Sequence, residues 1–218
     1  MIRLVALMLF FASVPTASAA KIPIYVLESG VYEKIVIDNG EVWLGVYPAR
    51  DHAEVRECKL RVRQAKNPDE YEGDATKVTV TPNDEPLFML KGAHSVKLGN
   101  VKSLYTKSDE LPRKVPVTLQ GKKYLIETVE EKESDGRRVW RLKLRLDGRE
   151  MVLGECPRRD SIYPVWAGDL DGDGRLDVYV RIEHHNYAME QLLYLSSTDT
   201  TGKALTARAA KLSVRKFE

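Results

Sequence analysis

The sequence predicts an all-β protein, built as antiparallel β-sandwich or barrel-like units. Three observations carry that prediction. Apolar and polar residues alternate with a period of two along most of the chain. Turn-forming pairs stand between these runs: Asn39-Gly40, Gln120-Gly121, Asp135-Gly136 and Asp147-Gly148. No helix longer than about two turns has a supporting apolar pattern, and the best candidate is Tyr187–Leu192.

The elements follow in chain order. Met1 to about Ala20 reads as a secretory signal peptide. Arg3 is its positive start, Leu4–Val14 its apolar centre and Ala17-Ser-Ala19 or Ser18-Ala-Ala20 its small-residue cleavage site. That apolar run is too short for a stable membrane anchor, and no cysteine follows it to carry a lipid. The chain left after cleavage is expected to be periplasmic or secreted, with no integral membrane segment.

Strand candidates in the first half are Ile22–Leu27, Lys34–Ile37, Glu41–Tyr47, Val55–Arg63, Lys77–Thr81 and Pro86–Leu90. Those in the second half are Val115–Leu119, Lys122–Glu130, Arg138–Leu146, Arg149–Gly154, Leu176–Ile182, Gln191–Ser196 and Arg208–Arg215. The clearest hairpin joins Arg138–Leu146 to Arg149–Gly154 through Asp147-Gly148, a pair suited to the positive φ angles of a two-residue turn. Trp140, Leu142, Leu144 and Leu146 share one face of it, and Arg141, Lys143 and Arg145 the other, as in a half-buried antiparallel sheet. Ala65–Thr76, with Asn67-Pro68 and several acids, reads as a solvated or binding loop. Thr106–Lys114 reads as a boundary, giving an N-terminal β unit at 21–108 and a C-terminal one at 109–218.

Charge excludes some partners. Lys and Arg number 34 against 32 Asp and Glu, a net charge of +2, and the leader removes only Arg3. Both signs are interspersed, which argues against a nucleic-acid binder or an anionic-membrane binder. The basic tail (Lys203, Arg208, Lys211, Arg215, Lys216) reads as the solvated face of a last strand whose Ala210, Leu212 and Val214 turn inward. Two cysteines, Cys58 and Cys156, are expected to form a disulfide in an oxidising compartment. A crosslink of that span would remove about 4–5 kcal/mol of unfolded-chain entropy.

The chemistry is written most clearly in Asp169-Leu-Asp-Gly-Asp-Gly-Arg-Leu-Asp177. Carboxylates at alternate positions can converge on one point while the backbone turns around it. Calcium is a hard cation that takes about six to eight oxygen ligands. Asp169, Asp171 and Asp173 hold loop positions one, three and five. Gly174 sits where the chain turns sharply, Arg175 offers its carbonyl, and Asp177 stands at position nine. An EF-hand would end in Glu at position twelve, which here is Val180. Leu176–Ile182 then alternates like a strand, with Leu176, Val178, Val180 and Ile182 facing a core.

In its spacing and its continuation into a strand, the run GDLDGDGRLDVYV resembles an FG-GAP (VCBS) repeat over about residues 163–183. The resemblance implies calcium held by Asp169, Asp171, Asp173, Arg175 and Asp177, and implies no catalysis. Only one copy is present, so a propeller is not implied. The chain also resembles bacterial secreted proteins without an established activity, which pair GEVWLGVY (Gly40–Tyr47) with VWAGDLDGDGRLD and LLYLSS (Leu192–Ser197).

Other residues give less. His184 and His185 point to opposite faces of a strand and do not readily chelate one metal. His52 and His94 stand alone. Ser29 and Ser161 lie in no nucleophile-elbow pattern. Glu130, Glu131 and Glu133 read as a wet hairpin tip. The function expected is a calcium-scaffolded, non-enzymatic binding or structural module whose partner is an extracytoplasmic protein or glycan. The alternative is a secreted hydrolase of cell-wall or polysaccharide material with structural calcium. It would need two carboxylates, or a nucleophile and a base, converging away from the loop. A calcium-gated sensor would need a two-state element, which a loop rooted in a strand does not suggest.

Overall fold

A computed structural model describes residues 23–33, 35–65, 75–81, 84–107, 111–185, 188–199 and 205–217. These fold almost wholly as strands: β1 (Tyr25–Leu27), β2 (Gly30–Glu33), β3 (Val42–Pro48), β4 (Ala53–Ala65), β5 (Ala75–Thr81), β6 (Phe88–Lys91), β7 (Gly99–Thr106), β8 (Lys114–Leu119), β9 (Lys122–Lys132), β10 (Arg138–Leu146), β11 (Arg149–Pro157), β12 (Ser161–Asp169), β13 (Asp177–Glu183), β14 (Ala188–Leu195) and β15 (Ala207–Phe217). A single 3-10 turn, Ser196–Thr198, follows β14. Among the described residues no helix is long and apolar enough to cross a membrane.

The large sheet runs β1-β6-β3-β4-β5-β2-β15-β14-β13-β12-β7. Its last strand returns to the fourth: Ala53, Glu54 and Val55 pair with Val101, Asn100 and Gly99. That short pairing closes β4, β5, β2, β15, β14, β13, β12 and β7 into an antiparallel eight-stranded barrel, with β3, β6 and β1 as extra strands. Strands from both sides of residue 108 therefore share one wall. The second sheet, β11-β10-β9-β8, is a meander. Asp147 (φ 49°) and Gly148 (φ 75°) make the two-residue turn between β10 and β11, in which both residues carry positive φ.

The meander packs one face on β12–β14. Leu142, Leu144, Val117 and Ile126 meet Val178, Val180, Ile182 and Leu192 there. The opposite face of β12–β14 packs against β3, β4 and β6 through Tyr163, Trp166, Tyr179, Phe88 and Val46. Phe88 and Tyr179 stack at 4.2 Å between centroids. β13 is thus covered on both sides, and this sets the surroundings of the aspartate loop that leads into it. On the free face of the meander, Arg141 pairs with Glu155 at 2.9 Å and Glu133 at 3.2 Å. Lys143 pairs with Glu150 at 2.8 Å. Glu131 and Glu133 belong to this ladder, whereas Glu130 lies on the other face beside Trp140 and meets Arg138 at 3.3 Å.

Three expectations are corrected, and two strands lie where none is expected. Residues 35–37 form no strand, Lys34 lies outside the described residues, and the strand of that region is β2, just before them. The best helix candidate, Tyr187–Leu192, is strand β14 from Ala188 onward, in line with the strand expected from Gln191, while Tyr187 itself lies outside the described residues. β7 and β12 are strands that the pattern does not announce. Cys58 and Cys156 are not bonded; both thiols are free and buried. Cys58 packs with Leu27 and Trp43, and Cys156 with Leu142 and Ile162 between the two sheets. Separate cores hold them, each serving as a small apolar side chain. Burial pushes both thiols up, Cys156 to about 11 with the charges of Asp160 and Glu155 adding to it. The leader (1–20), residues 66–74 of the Ala65–Thr76 loop and residues 108–110 of the expected boundary lie outside the described residues.

Candidate metal centre

The aspartate loop spans the turn from the end of β12 to the start of β13. Gly174 takes φ 79°, the left-handed conformation expected at loop position six. Backbone amides turn inward to the loop's own carboxylates. Gly174 N donates to Asp169 Oδ2 at 3.1 Å, Asp173 N to Asp171 Oδ1 at 3.3 Å, and Arg175 N to Asp173 Oδ1 at 2.8 Å. This is the local reason the sequence folds as a loop: short acidic side chains cap the amides that the turn leaves over.

Asp169, Asp171 and Asp177 converge, each offering an oxygen within 4.8 Å of the others. Asp177 is fully buried. Its Oδ2 accepts from Leu170 N at 2.7 Å and its Oδ1 from Ser196 N at 2.8 Å. Burial first, then the charge of Asp171, push its carboxyl up to about 8. Asp171 is raised too, by burial and by the charges of Asp173 and Asp169, although Ser197 donates to it. Asp169 Oδ1 is buried and has no hydrogen-bond partner.

Asp173 lies outside that trio. Ser196 Oγ reaches both its oxygens at 2.8 Å, and Arg175 Nε donates to Oδ2 at 3.0 Å. Burial opposes ionisation there, but Ser196 and Arg175 hold its carboxyl below the ordinary range. The Arg175 guanidinium also donates to the Ser196 carbonyl at 2.7 Å. Sequence reasoning missed Ser196 and Ser197, which tie the 3-10 turn after β14 to the loop.

The donor set suits a hard cation. All of its groups are oxygens, three carboxylates crowd one point, one oxygen is orphaned, and no cationic side chain reaches the trio among the described residues. No sulfur or imidazole is present to favour a softer metal.

Two other polar clusters stand elsewhere. Asp160, in the turn before β12, is buried and accepts from His184 Nδ1 at 2.6 Å, and from His185 N and Nδ1 at 3.2 Å each. The two imidazoles meet opposite oxygens of one carboxylate, and that carboxylate staples the β11–β12 turn to the β13–β14 turn. Glu28 is also buried. It accepts from Tyr179 Oη at 2.7 Å, Arg181 Nε at 3.0 Å and Lys216 Nζ at 3.0 Å. Burial opposes its charge, but Lys216 and Arg181 outweigh that and hold its carboxyl below the usual value. Arg181 continues to Tyr163 Oη at 3.3 Å, where Lys107 also donates at 3.2 Å. No family model, curated protein or solved structure matches this chain.

Proposed function

We propose that the Asp169–Asp177 loop binds one calcium ion, and that the protein is a non-enzymatic, extracytoplasmic binding or structural module in which calcium is a scaffold. The observation that carries the metal is the convergence of Asp169, Asp171 and Asp177 around a buried, partnerless oxygen. Like charges packed this closely cannot all ionise without a counter-charge, and calcium supplies two positive charges there. The FG-GAP-like spacing supports the same ion. Asp173 and the Arg175 carbonyl complete the shell once the Asp173 carboxylate leaves Ser196 and Arg175. The leader supports the extracytoplasmic setting.

The scaffold reading rests on where the loop is tied. One end opens β13, the strand covered on both faces, and Ser196 and Ser197 fasten the other side to the end of β14. An ion there fixes two central strands. The hydrolase reading has less support. The Asp160–His184 pair is the nearest approach to an acid–base couple, and its carboxylate is already shared with His185.

Isothermal titration of calcium into chelator-stripped protein tests the metal. One site is expected, absent in Asp171→Ala/Asp173→Ala, with weak affinity of about 10⁻⁴–10⁻³ M as in extracellular modules. Asp169→Ala is expected to cost more affinity than Asp173→Ala. No heat at millimolar calcium refutes the assignment.

A further inference from the structure

β4 and β5 pair from Lys59 opposite Thr81 to Ala65 opposite Ala75. Leu60, Val78 and Val80 turn into the core. Lys59, Arg61 and Arg63 therefore share the opposite face, where all three are exposed. Alternate residues of a strand stand about 7 Å apart, so they form an evenly spaced row. Arg63 lies directly opposite Lys77, and Arg61 opposite Thr79. Among the described residues none of these cations holds an ion pair. The meander shows the contrast: there Arg141, Lys143 and Arg145 each meet a glutamate. Like charges directly opposite on neighbouring strands are unfavourable, and an anion laid across Arg63 and Lys77 relieves that.

The rest of the face narrows the class of anion. Its other cross-strand members are Val31, Val42, Thr79 and Thr81. None is an aromatic platform for stacked bases or a large apolar anchor for a bilayer. Lys77 and Thr79 also border a hollow with Ser29, Gly30 and Glu85. Ser29 Oγ is buried and has no partner. Glu85 holds no ion pair among the described residues. A hydroxyl and a carboxylate in one hollow suit the hydroxyls of a sugar, which both donate and accept. The arginines of the row suit carboxylates, which their guanidinium groups can meet with two parallel hydrogen bonds.

We propose that the outer face of β4 and β5 binds a linear polysaccharide bearing carboxylates, with its acid groups on Lys59, Arg61, Arg63 and Lys77 and its hydroxyls at Ser29, Thr79 and Glu85. This rests on the reading of the chain as an extracytoplasmic binding module, whose ligand it names, and is independent of the calcium.

Fluorescence anisotropy with the full chain in chelator tests it. The probes are a labelled oligogalacturonate, with a carboxylate on every sugar, and a labelled neutral maltooligosaccharide. The oligogalacturonate is expected to bind, less tightly as salt rises, and the neutral probe is not. Arg61→Gln/Arg63→Gln, both exposed changes, should weaken binding about tenfold, as the loss of two surface charge pairs would give. The melting temperature should hold or rise, because Arg63 no longer opposes Lys77. Glu85→Gln should weaken binding too, since a carboxylate accepts from sugar hydroxyls more strongly than an amide; tighter binding would mean a bare charge field and overturns the proposal. No binding at millimolar probe, equal binding of the neutral probe, or unchanged binding in the arginine variant also overturns it. So does binding of duplex DNA or phosphatidylglycerol vesicles as tight as that of the oligogalacturonate. Residues 66–74 carry Asp69, Glu70, Glu72 and Asp74 and lie outside the described residues. Asp69→Asn/Glu70→Gln/Glu72→Gln/Asp74→Asn should bind as the wild type does; a tenfold gain would assign the row to the chain's own acids and overturn the proposal. Calcium is titrated separately into the same preparation. A chain that takes the oligogalacturonate but no calcium keeps this site and loses the calcium scaffold; the converse result removes this site alone.

Discussion

Asp177 opens β13, and Glu28 meets the same strand at Tyr179 and Arg181. The two carboxylates are almost equally buried, at 0% and 3% exposure. Their surroundings push them in opposite directions. Asp177 has two backbone amides and a serine for company, another carboxylate nearby, and a carboxyl raised to about 8. Glu28 has a guanidinium, an ammonium and a phenol, and a carboxyl held below the usual value although burial opposes it. Burial alone therefore does not mark a site. What separates the two is whether the chain itself supplies the counter-charge. Around Glu28 it does, and the cluster is a finished internal brace. Around Asp177 it does not, and the missing charge is what an ion would bring.

The comparison breaks most sharply at Arg181. Arg181→Met leaves Glu28 buried with Lys216 as its one cationic partner among the described residues. Removing one partner of a buried pair costs about 3–5 kcal/mol, and the loss should appear in urea denaturation at neutral pH. Calcium should not restore it, because the proposed ion site is the other cluster. A loss under 1 kcal/mol would mean that Lys216 and water compensate, and that the brace is no stronger than a surface pair.

The calcium loop gives the next effect in size. A ligand bound only by the folded state stabilises by about 2.7 kcal/mol at about a hundredfold excess over its Kd. The melting temperature should rise with calcium in the wild type and in Arg181→Met alike, and stay fixed in Asp171→Ala/Asp173→Ala. Hydrogen exchange should slow from Asp169 to Ile182 and at Ser196–Thr198, with little change at Gly40–Tyr47. Protection spreading through both sheets, or a calcium-dependent oligomer, would make the ion a switch instead of a scaffold.

The two clusters were not equally legible in the sequence. The trio of aspartates is local: its spacing is visible in nine residues, and the strand after it follows from alternation. Glu28 sits in an ordinary Leu-Glu-Ser-Gly turn, and its partners on β13 lie 151 and 153 positions away. No local pattern encodes that distance. Strands were most legible where exposed charges alternate with buried apolar residues. β10 runs from Arg138 to Leu146, as the hairpin pattern gives, because Arg141 and Arg145 alternate with Leu142 and Leu144. β12 and β14 are covered on both faces, so their period-two signal fades, and Pro164 and Gly168 interrupt β12 further. Barrel closure depends on three residues of β4 against three of β7, which leaves no mark in either strand. The cysteines show the same limit. Compartment and number favour a bond, but the fold assigns Cys58 and Cys156 to different cores.

The smallest expected effect tests the sign of the Glu28 environment. Glu28→Gln keeps the volume and removes the charge, so it forfeits a charge-assisted set of hydrogen bonds, at about 1–3 kcal/mol at neutral pH. Glu28 has a folded-state value below its ordinary 4.5. Its carboxylate therefore stabilises the fold fully above about 4.5, and that contribution fades as pH falls from 4.5 through the depressed folded value. Gln has no proton to gain in that window. The stability curves of wild type and Glu28→Gln should lie apart at pH 7 and converge below 4.5. Curves that stay parallel would mean that Glu28 titrates alike in the folded and unfolded chains. Curves that diverge as pH falls would mean that burial outweighs Arg181 and Lys216, which would make Glu28 a second under-neutralised carboxylate like Asp177.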